Sequence, residues 1–300
     1  MSTAFLFPGQ GTDIADAVDD WRRLSHVARL LDGAADALGV SPDQLTRRTH
    51  ITRTSIVQPV LTALTLGIHH CLGDEGVAPE CVAGHSVGEL AACAAAGAIT
   101  DEDVIALAVI RGALMEREAA RHGGRMISLR GSSADVDAAL TAAAKHGSVS
   151  LAAHNAADEW VVSGDVAALR AVAALLPSTA LDTDGPWHSL AMRAAVDPYR
   201  DALRHAVSGS LSLPFVSNRI GVATRDSTLI PELLASQLIH PVQWVRSMET
   251  LSDRGITQII ICGPGKSLRR FAAAMIPAAS VSIVSHPDHL SRDFAAMTVR

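Results

Sequence analysis

Aromatic residues are scarce in this chain of 300 residues, making up 3% of it. The core must therefore consist of the aliphatic residues that dominate its 48% hydrophobic share. Basic residues are not in excess either. The formal net charge of −6 gives no support to nucleic-acid binding, which goes with a strong basic excess. This composition predicts a globular protein of one large or two modest domains.

Cysteine is rare as well, and the four cysteines, Cys71, Cys81, Cys93 and Cys262, show no metal-binding or redox spacing. They lie mostly in apolar segments, and we interpret them as buried thiols in a reducing compartment. No uninterrupted apolar run reaches the length of about 18 residues that a membrane span needs. The N-terminal segment also lacks the basic region of a signal peptide. We therefore expect a cytoplasmic protein, with no membrane span and no metal site.

The most informative segment is the pentapeptide GHSVG at 84–88. It follows the short apolar run 81–83 and precedes a helical pattern over 89–96. A GxSxG sequence between a strand and a helix is typical of a nucleophile elbow, whose sharp turn exposes the serine hydroxyl. Glycine is needed on either side because a Cβ there would meet crowded backbone. Taken alone, the pattern also fits a plain strand-to-helix turn; in an elbow, Ser86 attacks an acyl group and carries it covalently.

The rest of the chain predicts an α/β protein. We expect a buried strand at 3–7, which ends at the turn 8–11. Further helices and strands are predicted by apolar periodicity, with the helices at 14–39, 56–73 and 101–120 and the strands at 214–217 and 258–262.

The stretch from 125 to 184 has a different pattern. Two helices, one capped by Ser133 and one by Asp165, alternate with strands in the order βαββαβ, which is that of a ferredoxin-like unit. The four strands of this unit are predicted at 126–129, 149–153, 160–163 and 179–182. We therefore predict a large α/β catalytic domain, residues 1–124 and 187–300, with a small ferredoxin-like domain inserted at 125–186.

Six motifs follow one another in the order found in one enzyme family. They are FPGQG at 7–11, QPVL at 58–61, GHSVGE at 84–89, RGALM at 111–115, HPVQW at 240–244 and GPGK at 263–266. Together they resemble the malonyl-CoA:acyl carrier protein transacylases and the acyltransferase domains of polyketide and fatty acid synthases. The resemblance spans nearly the whole chain. It implies an α/β-hydrolase-like large domain and ping-pong transfer of a malonyl group, through an acyl-serine, to the phosphopantetheine thiol of an acyl carrier protein.

The resemblance also implies roles for particular residues. Ser86 matches the nucleophile and His188 the catalytic histidine, whose second ring nitrogen donates to a backbone carbonyl near Gln243. This bond fixes the tautomer of the ring as a carboxylate would. The backbone N–H groups of Gln10 and Val87 match the oxyanion hole, where developing negative charge is stabilised.

Arg111 indicates the class of substrate. A guanidinium can grip the free carboxylate of malonyl-CoA with two parallel hydrogen bonds, as the family's arginine at this position does. Arg111 lies on an otherwise apolar helix face, where an unpaired charge would be costly. A surface arginine is the alternative interpretation. The resemblance places four further residues, Gln58, His85, Asn155 and Gln243, in the same pocket.

Trp187, directly before His188, departs from the family pattern. It could narrow the pocket at the acyl α-carbon and exclude methylmalonyl, or reshape the pocket for another group. Thr12 and Asp13 also replace the usual pair after FPGQG. These departures leave open an acyltransferase for an unusual acyl group, including transfer between two carrier proteins. A hydrolase acting on acyl carrier thioesters and an inactive scaffold subunit are further alternatives.

Acyl carrier proteins are usually acidic, so a net-negative enzyme needs a local basic face to dock one. We predict this face at Lys266, Arg269 and Arg270, with Arg121 and Arg125 as further candidates. Scattered solvated charges are the alternative interpretation. The substrates expected are an acyl-CoA and a carrier protein, with no cofactor, and the family resemblance implies a monomer.

Overall fold

The computed structural model describes residues 2–11, 14–46 and 53–290. Within these ranges, two β-sheets pack against helices. The strands are β1 (Thr3–Phe7), β2 (Cys81–Gly84), β3 (Arg125–Arg130), β4 (Val149–Ala156), β5 (Glu159–Gly164), β6 (Ser178–Ala180), β7 (Phe215–Val216), β8 (Ala223–Thr224), β9 (Gln258–Cys262) and β10 (Ser280–Val284). The helices are α1 (Ala15–Trp21), α2 (Ser25–Leu38), α3 (Thr54–Asp74), α4 (Gly88–Ala95), α5 (Asp101–His122), α6 (Ser133–Ala143), α7 (Val166–Ala173), α8 (Arg193–Ala206), α9 (Ile230–Gln237), α10 (Trp244–Asp253) and α11 (Lys266–Met275).

The larger sheet has the strand order β10-β9-β1-β2-β7-β8. All its pairs are parallel except β7 with β8. The central strands β1, β2 and β9 are completely buried, as expected of a parallel sheet covered on both faces. Because parallel strands end at the same edge, the turns after β2, β1 and β9 lie side by side. This edge of an α/β sheet is where ligands bind.

Helix α3 has the length and apolarity of a membrane span, but 78% of its apolar window is buried within the described part of the protein. It lies against α2 and α5, and glycine allows both close approaches. A Cβ at Gly67 would come within 2.8 Å of Val27, and one at Gly112 within 2.8 Å of Ser55. Burial in the core therefore explains why α3 is apolar on all sides.

The smaller sheet, with strand order β4-β5-β3-β6, is antiparallel throughout. Its strands and the helices α6 and α7 follow the predicted βαββαβ order. Strand β4 is also joined to the segment before α10, since Val242 donates to Ala152 at 2.9 Å and accepts from His154 at 2.9 Å. These two bonds fix the smaller sheet beside the binding edge of the larger one.

Two local predictions were wrong. Ser132, rather than Ser133, caps α6, because it forms a capping box with Asp135. Asn155 lies within β4, which continues to Ala156, beyond the end predicted at residue 153. Strand β4 is irregular, with register shifts at Leu151/Ala153 and His154/Ala156, and such bulges re-aim side chains.

The turn between β2 and α4 is as crowded as the GxSxG pattern predicts. A Cβ at Gly84 would lie 2.1 Å from the carbonyl of Gly88, and one at Gly88 would lie 2.2 Å from the carbonyl oxygen of Phe7. Neither glycine has a positive φ angle. Glycine is therefore required here because a side chain would not fit, and not because of the backbone conformation.

We predict that Gly88→Ala lowers the free energy of unfolding by more than about 2 kcal/mol, because backbone would have to move to admit the methyl group. Gly33→Ala is the matched control. Gly33 lies in α2 with no atom within 4 Å of an added Cβ, so this change should stabilise the protein by up to about 1 kcal/mol. Urea unfolding measures both, and equal stability of the two variants would contradict the crowding argument.

Candidate active site

Ser86 occupies a strained backbone position at the end of the turn that follows β2. Its φ angle is 53°, in the left-handed region that few residues other than glycine adopt. Two side chains hold this conformation from opposite sides. Asn218 Oδ1 accepts from the Ser86 backbone N–H at 2.7 Å, and Gln237 Nε2 donates to the Ser86 carbonyl at 3.1 Å. A strained backbone conformation persists only where the surrounding contacts hold it in place, as the bonds to Asn218 and Gln237 do here.

His188 faces the Ser86 hydroxyl, and its Nε2 lies 2.8 Å from Ser86 Oγ. Its Nδ1 lies 2.9 Å from the carbonyl oxygen of Gln237. Since a carbonyl can only accept, Nδ1 carries the proton and Nε2 is left to accept the serine proton. We expected this carbonyl near Gln243. It belongs instead to Gln237, the last residue of α9.

The environment of His188 keeps its ring neutral. Burial is the largest cause, and the positive charge of Arg111 adds to it; together they lower the pKa of His188 to about 3. The bond to the Gln237 carbonyl acts in the opposite direction. A histidine with so low a pKa is unprotonated at neutral pH and can accept a proton without first losing one.

Arg111 is buried, with 2% of its surface exposed, and its guanidinium faces Ser86. NH1 donates to Gln58 Oε1 at 2.7 Å and NH2 donates to Gln237 Oε1 at 2.7 Å. NH2 also donates to Ser86 Oγ at 3.3 Å. The described residues give Arg111 no direct ion pair. A buried cation held by neutral amide oxygens retains its attraction for an anion next to the serine.

A hydrogen-bonded chain continues from Arg111 toward the turn after β1. Gln58 Nε2 donates to Thr54 Oγ1 at 2.9 Å, and Thr54 Oγ1 donates to Gln10 Oε1 at 2.9 Å. This chain fixes the side chain of Gln10 and therefore the turn that contains it. Gln10 and Val87 both line the cavity in front of Ser86. Among the described residues, no acceptor is bonded to the backbone N–H of either residue, so both can meet an anionic oxygen.

The cavity has a volume of about 670 Å³. Its walls come from the turns at the edge of the larger sheet, from the inner face of the smaller sheet and from the start of α11. Within the described ranges, no three His, Cys, Asp or Glu side chains are grouped to hold a metal ion.

Comparison with known proteins identifies the family. The sequence profile of the family described as "Acyl transferase domain" matches residues 4–288. This chain belongs to that family. It is 30% identical over 297 residues to the malonyl CoA-acyl carrier protein transacylase of Mycobacterium tuberculosis, covering 96% of this chain and 97% of the relative.

Solved structures agree with this assignment. The malonyl CoA-acyl carrier protein transacylase of Coxiella burnetii superimposes with a TM-score of 0.92 at 25% identity, covering 99% of this chain and 98% of the other. A malonyl-transacylase in complex with a type II PKS acyl-carrier protein gives a TM-score of 0.90 at 27% identity, with coverage of 97% and 98%. The protein is thus an acyltransferase with the fold of these enzymes.

The acyltransferase brings most of the other predicted pocket residues to the cavity. His85 Nε2 lies 2.9 Å from Asn155 Oδ1, and the His85 ring packs edge-on against Trp244 at 5.2 Å. Trp187 is buried and lines the cavity, with its carbonyl accepting a bond from Ser163 Oγ. Thr12 and Asp13 lie outside the described residues.

Gln243 does not line the cavity. It lies directly before α10, and its backbone N–H donates to the Asn218 carbonyl at 2.8 Å. A role for the Gln243 side chain in binding substrate therefore stays a prediction.

The predicted docking residues lie on α11 outside the cavity. Lys266 and Arg269 are exposed. Arg270 is exposed as well, and it makes a bidentate pair with Glu159, at 2.6 and 2.7 Å, which links α11 to the smaller sheet. Of the further candidates, Arg121 bonds to the buried Glu118, and Arg125 is exposed.

Asn218 and Gln237 were missed by the sequence analysis. Both are almost completely buried, at 0% and 1% exposure. One feature of the sequence could have indicated a role for Gln237. It is a lone amide among the apolar residues Leu233, Leu234 and Leu238 near the end of α9. Asn218 follows the two-residue strand β7, and its sequence context gave no comparable signal.

The low pKa of His188 gives a testable pH profile. Modification of Ser86 by phenylmethylsulfonyl fluoride, a neutral reagent, should proceed at a nearly constant rate from pH 5 to 7. With a pKa of about 3, the histidine base stays unprotonated throughout this range. Intact mass spectrometry at timed intervals measures the rate, with Ser86→Ala as the control. A fall centred near pH 6.5, the pKa of an ordinary histidine, would contradict the burial argument.

Proposed function

We propose that this acyltransferase moves a malonyl group from malonyl-CoA to the phosphopantetheine thiol of an acyl carrier protein, by a ping-pong mechanism through an acyl-serine on Ser86. The observation that carries the proposal is the buried guanidinium of Arg111, 3.3 Å from Ser86 Oγ. In a malonyl thioester, one methylene separates the reacting carbonyl from the free carboxylate. An acyl group with a carboxylate so close to its reacting carbon is the one that this charge favours.

In the first half-reaction, Ser86 Oγ attacks the thioester carbonyl carbon while His188 Nε2 accepts the serine proton. The Gln237 carbonyl stabilises the imidazolium that results, through the bond from Nδ1. Collapse of the tetrahedral intermediate breaks the carbon–sulfur bond. His188 then gives its proton to the sulfur of CoA, which leaves as the thiol.

The oxyanion of each tetrahedral intermediate binds to the backbone N–H groups of Val87 and Gln10. Donors fixed in advance in a site of low polarity stabilise developing charge without having to reorganise. The chain Gln58–Thr54–Gln10 supports this arrangement, since it ties the turn containing Gln10 to the residue that holds Arg111.

In the second half-reaction, His188 deprotonates the carrier thiol, which attacks the malonyl-serine ester. The proton then returns to Ser86 Oγ as the ester bond breaks. The whole cycle conserves protons and uses only groups of this chain and its two substrates. It requires no metal ion or redox cofactor.

Trp187 restricts the acyl group in this proposal. Its bulky ring lines the cavity next to His188, where it would crowd a branch at the acyl α-carbon. His85 and Asn155, held together by a hydrogen bond, form part of the opposite wall. Malonyl therefore fits this site better than methylmalonyl.

We also propose a division of the chain into two domains. Residues 1–124 and 187–300 form an α/β-hydrolase-like catalytic domain, and 125–186 an inserted ferredoxin-like domain. The strand order β4-β5-β3-β6 and the separate apolar cluster around Leu129 and Val162 support the second assignment. The enzyme acts in the cytoplasm as a monomer.

The carrier protein docks at Lys266 and Arg269 on α11. The apolar side of this helix lines the cavity through Leu268 and Phe271, while these two cations lie exposed. An acidic carrier bound to them can deliver its pantetheine arm into the cavity. Arg270 contributes less, because Glu159 already holds its guanidinium.

Arg111→Ala should reduce kcat/KM for malonyl-CoA about tenfold to a hundredfold more than kcat/KM for acetyl-CoA. This factor is the one expected from the loss of hydrogen bonds to a charged group. Only the malonyl donor carries the carboxylate that Arg111 binds. Transfer to a phosphopantetheinylated carrier protein measures both constants. Equal losses with the two donors would show that Arg111 does not bind the acyl carboxylate.

Arg269→Glu should raise KM for the carrier protein several-fold and leave KM for malonyl-CoA unchanged, because only the carrier contacts the outer face of α11. The effect should shrink at high salt, which screens exposed charges. Arg204→Glu, a charge reversal on α8, is the control for net charge. Equal effects of Arg269→Glu on both substrates would contradict this docking site.

A further inference from the structure

Glu89 is a buried acid that the proposed mechanism does not use. It is completely buried directly behind the Ser86 turn, and it does not line the cavity. Both of its oxygens accept hydrogen bonds, Oε1 from the Asn218 backbone N–H and Oε2 from Gln237 Nε2. A carboxyl group kept in the protein interior without contact to substrate requires another explanation.

The bond to Glu89 decides which way the Gln237 amide points. Gln237 Nε2 has two hydrogens, and they bond to Glu89 Oε2 and to the Ser86 carbonyl oxygen. Both partners are acceptors. In the reversed orientation, the amide oxygen would face these two acceptors and its NH₂ group would face the guanidinium of Arg111. The contacts with the Ser86 carbonyl and with Arg111 would then be repulsive, and the bond to Glu89 Oε2 would be lost, so these three partners together fix the amide in one orientation.

The fixed amide presents its oxygen to Arg111 NH2 at 2.7 Å. Gln58 holds NH1 from the other side. The guanidinium is therefore gripped at both terminal nitrogens, with NH2 also turned toward Ser86 Oγ. A side chain held by hydrogen bonds in advance loses less conformational entropy when substrate binds.

The Gln237 amide also keeps Glu89 and Arg111 from pairing directly. A direct pair between Glu89 and Arg111 would neutralise the guanidinium and occupy the N–H groups that a substrate carboxylate needs. Burial raises the pKa of Glu89 to about 8, although the bonds from Asn218 and Gln237 and the charge of Arg111 act in the opposite direction. Gln237 stands between this carboxyl group and the guanidinium. The N–H groups nearest Ser86 remain able to bind an incoming anion.

From this geometry we infer that Glu89 is a positioning residue for acyl-group selection: by orienting the Gln237 amide, it holds Arg111 ready for a carboxylate. The inference rests on the proposed function, in which Arg111 binds the malonyl carboxylate. Glu89 itself never touches the substrate. Its contribution therefore shows in the preference for malonyl over acetyl donors, rather than in acyl transfer as such.

The test is Glu89→Gln, a change of nearly equal shape in which an NH₂ group can take the place of Oε2, the oxygen that accepts from Gln237 Nε2. The bond from Gln237 Nε2 to this position can then be lost, and the amide is held less firmly against Arg111. We expect kcat/KM for malonyl-CoA to fall about tenfold or more, through KM, with a much smaller effect for acetyl-CoA. Glu118→Gln is the matched control, since Glu118 is an equally buried glutamate on α5, bonded to Arg117 and Arg121. It should leave the malonyl/acetyl ratio unchanged.

A second variant changes the other partner in the hydrogen bond between Glu89 and Gln237. Gln237→Met removes the amide but keeps the backbone carbonyl that accepts from His188. It should lower the malonyl/acetyl ratio to a similar extent, and combining it with Glu89→Gln should lower that ratio no further. This variant also keeps the test decisive if Glu89→Gln fails to fold, with circular dichroism reporting the folded state.

Arg111→Ala separates failure of this inference from failure of the proposed function. If Arg111→Ala lowers the malonyl/acetyl ratio but Glu89→Gln and Gln237→Met reduce both donors equally, the role of Glu89 is overturned while the function stands. If Arg111→Ala leaves the ratio unchanged, the proposed function fails first. In the Arg111→Ala background, Glu89→Gln should have no effect on the ratio.

Discussion

A buried positive charge beside the nucleophile is the constraint on which the rest of the site depends. Arg111 is 2% exposed, and the described residues offer it amide oxygens rather than a direct carboxylate partner. An uncompensated ion in the protein interior is costly. The fold limits this cost by binding the guanidinium through the amide oxygens of Gln58 and Gln237. What remains is a cation prepared for an anion next to Ser86.

The same few side chains also maintain the strained turn. Gln237 bonds to the Ser86 carbonyl, to Arg111 and to Glu89 through its side chain, and to His188 through its backbone. Asn218 bonds to the Ser86 backbone N–H and to the Gly84 carbonyl. Ser86, His188 and Arg111 are therefore held by one connected polar layer beneath the cavity. A change in this layer alters several functions at once.

The chemistry of the site could be predicted from sequence where it is local. The GHSVG turn carries its own spacing, its glycines and its flanking apolar runs, so the elbow was predictable from five residues and their neighbours. The alternating pattern of strands and helices likewise predicted the α/β class, because periodicity is a property of short segments.

Long-range partners could not be predicted in this way. Gln237 and Asn218 act on Ser86 across more than 130 positions of sequence, and no local pattern specifies such a pairing. The predicted strand ended at residue 153, whereas β4, with its irregular register, continues through Asn155 to Ala156. The HPVQW motif likewise identifies a segment but not which of its atoms face the cavity, and Gln243 is not among the residues that line it.

The most direct test of the account is intact-protein mass spectrometry after brief incubation with malonyl-, methylmalonyl- and acetyl-CoA. The account predicts rapid formation of a malonyl adduct, little adduct with the other two donors, and none with any donor in Ser86→Ala. An adduct that persists in Ser86→Ala would contradict the assigned nucleophile. A folded enzyme that accepts acetyl as readily as malonyl would contradict the role of the buried Arg111 charge.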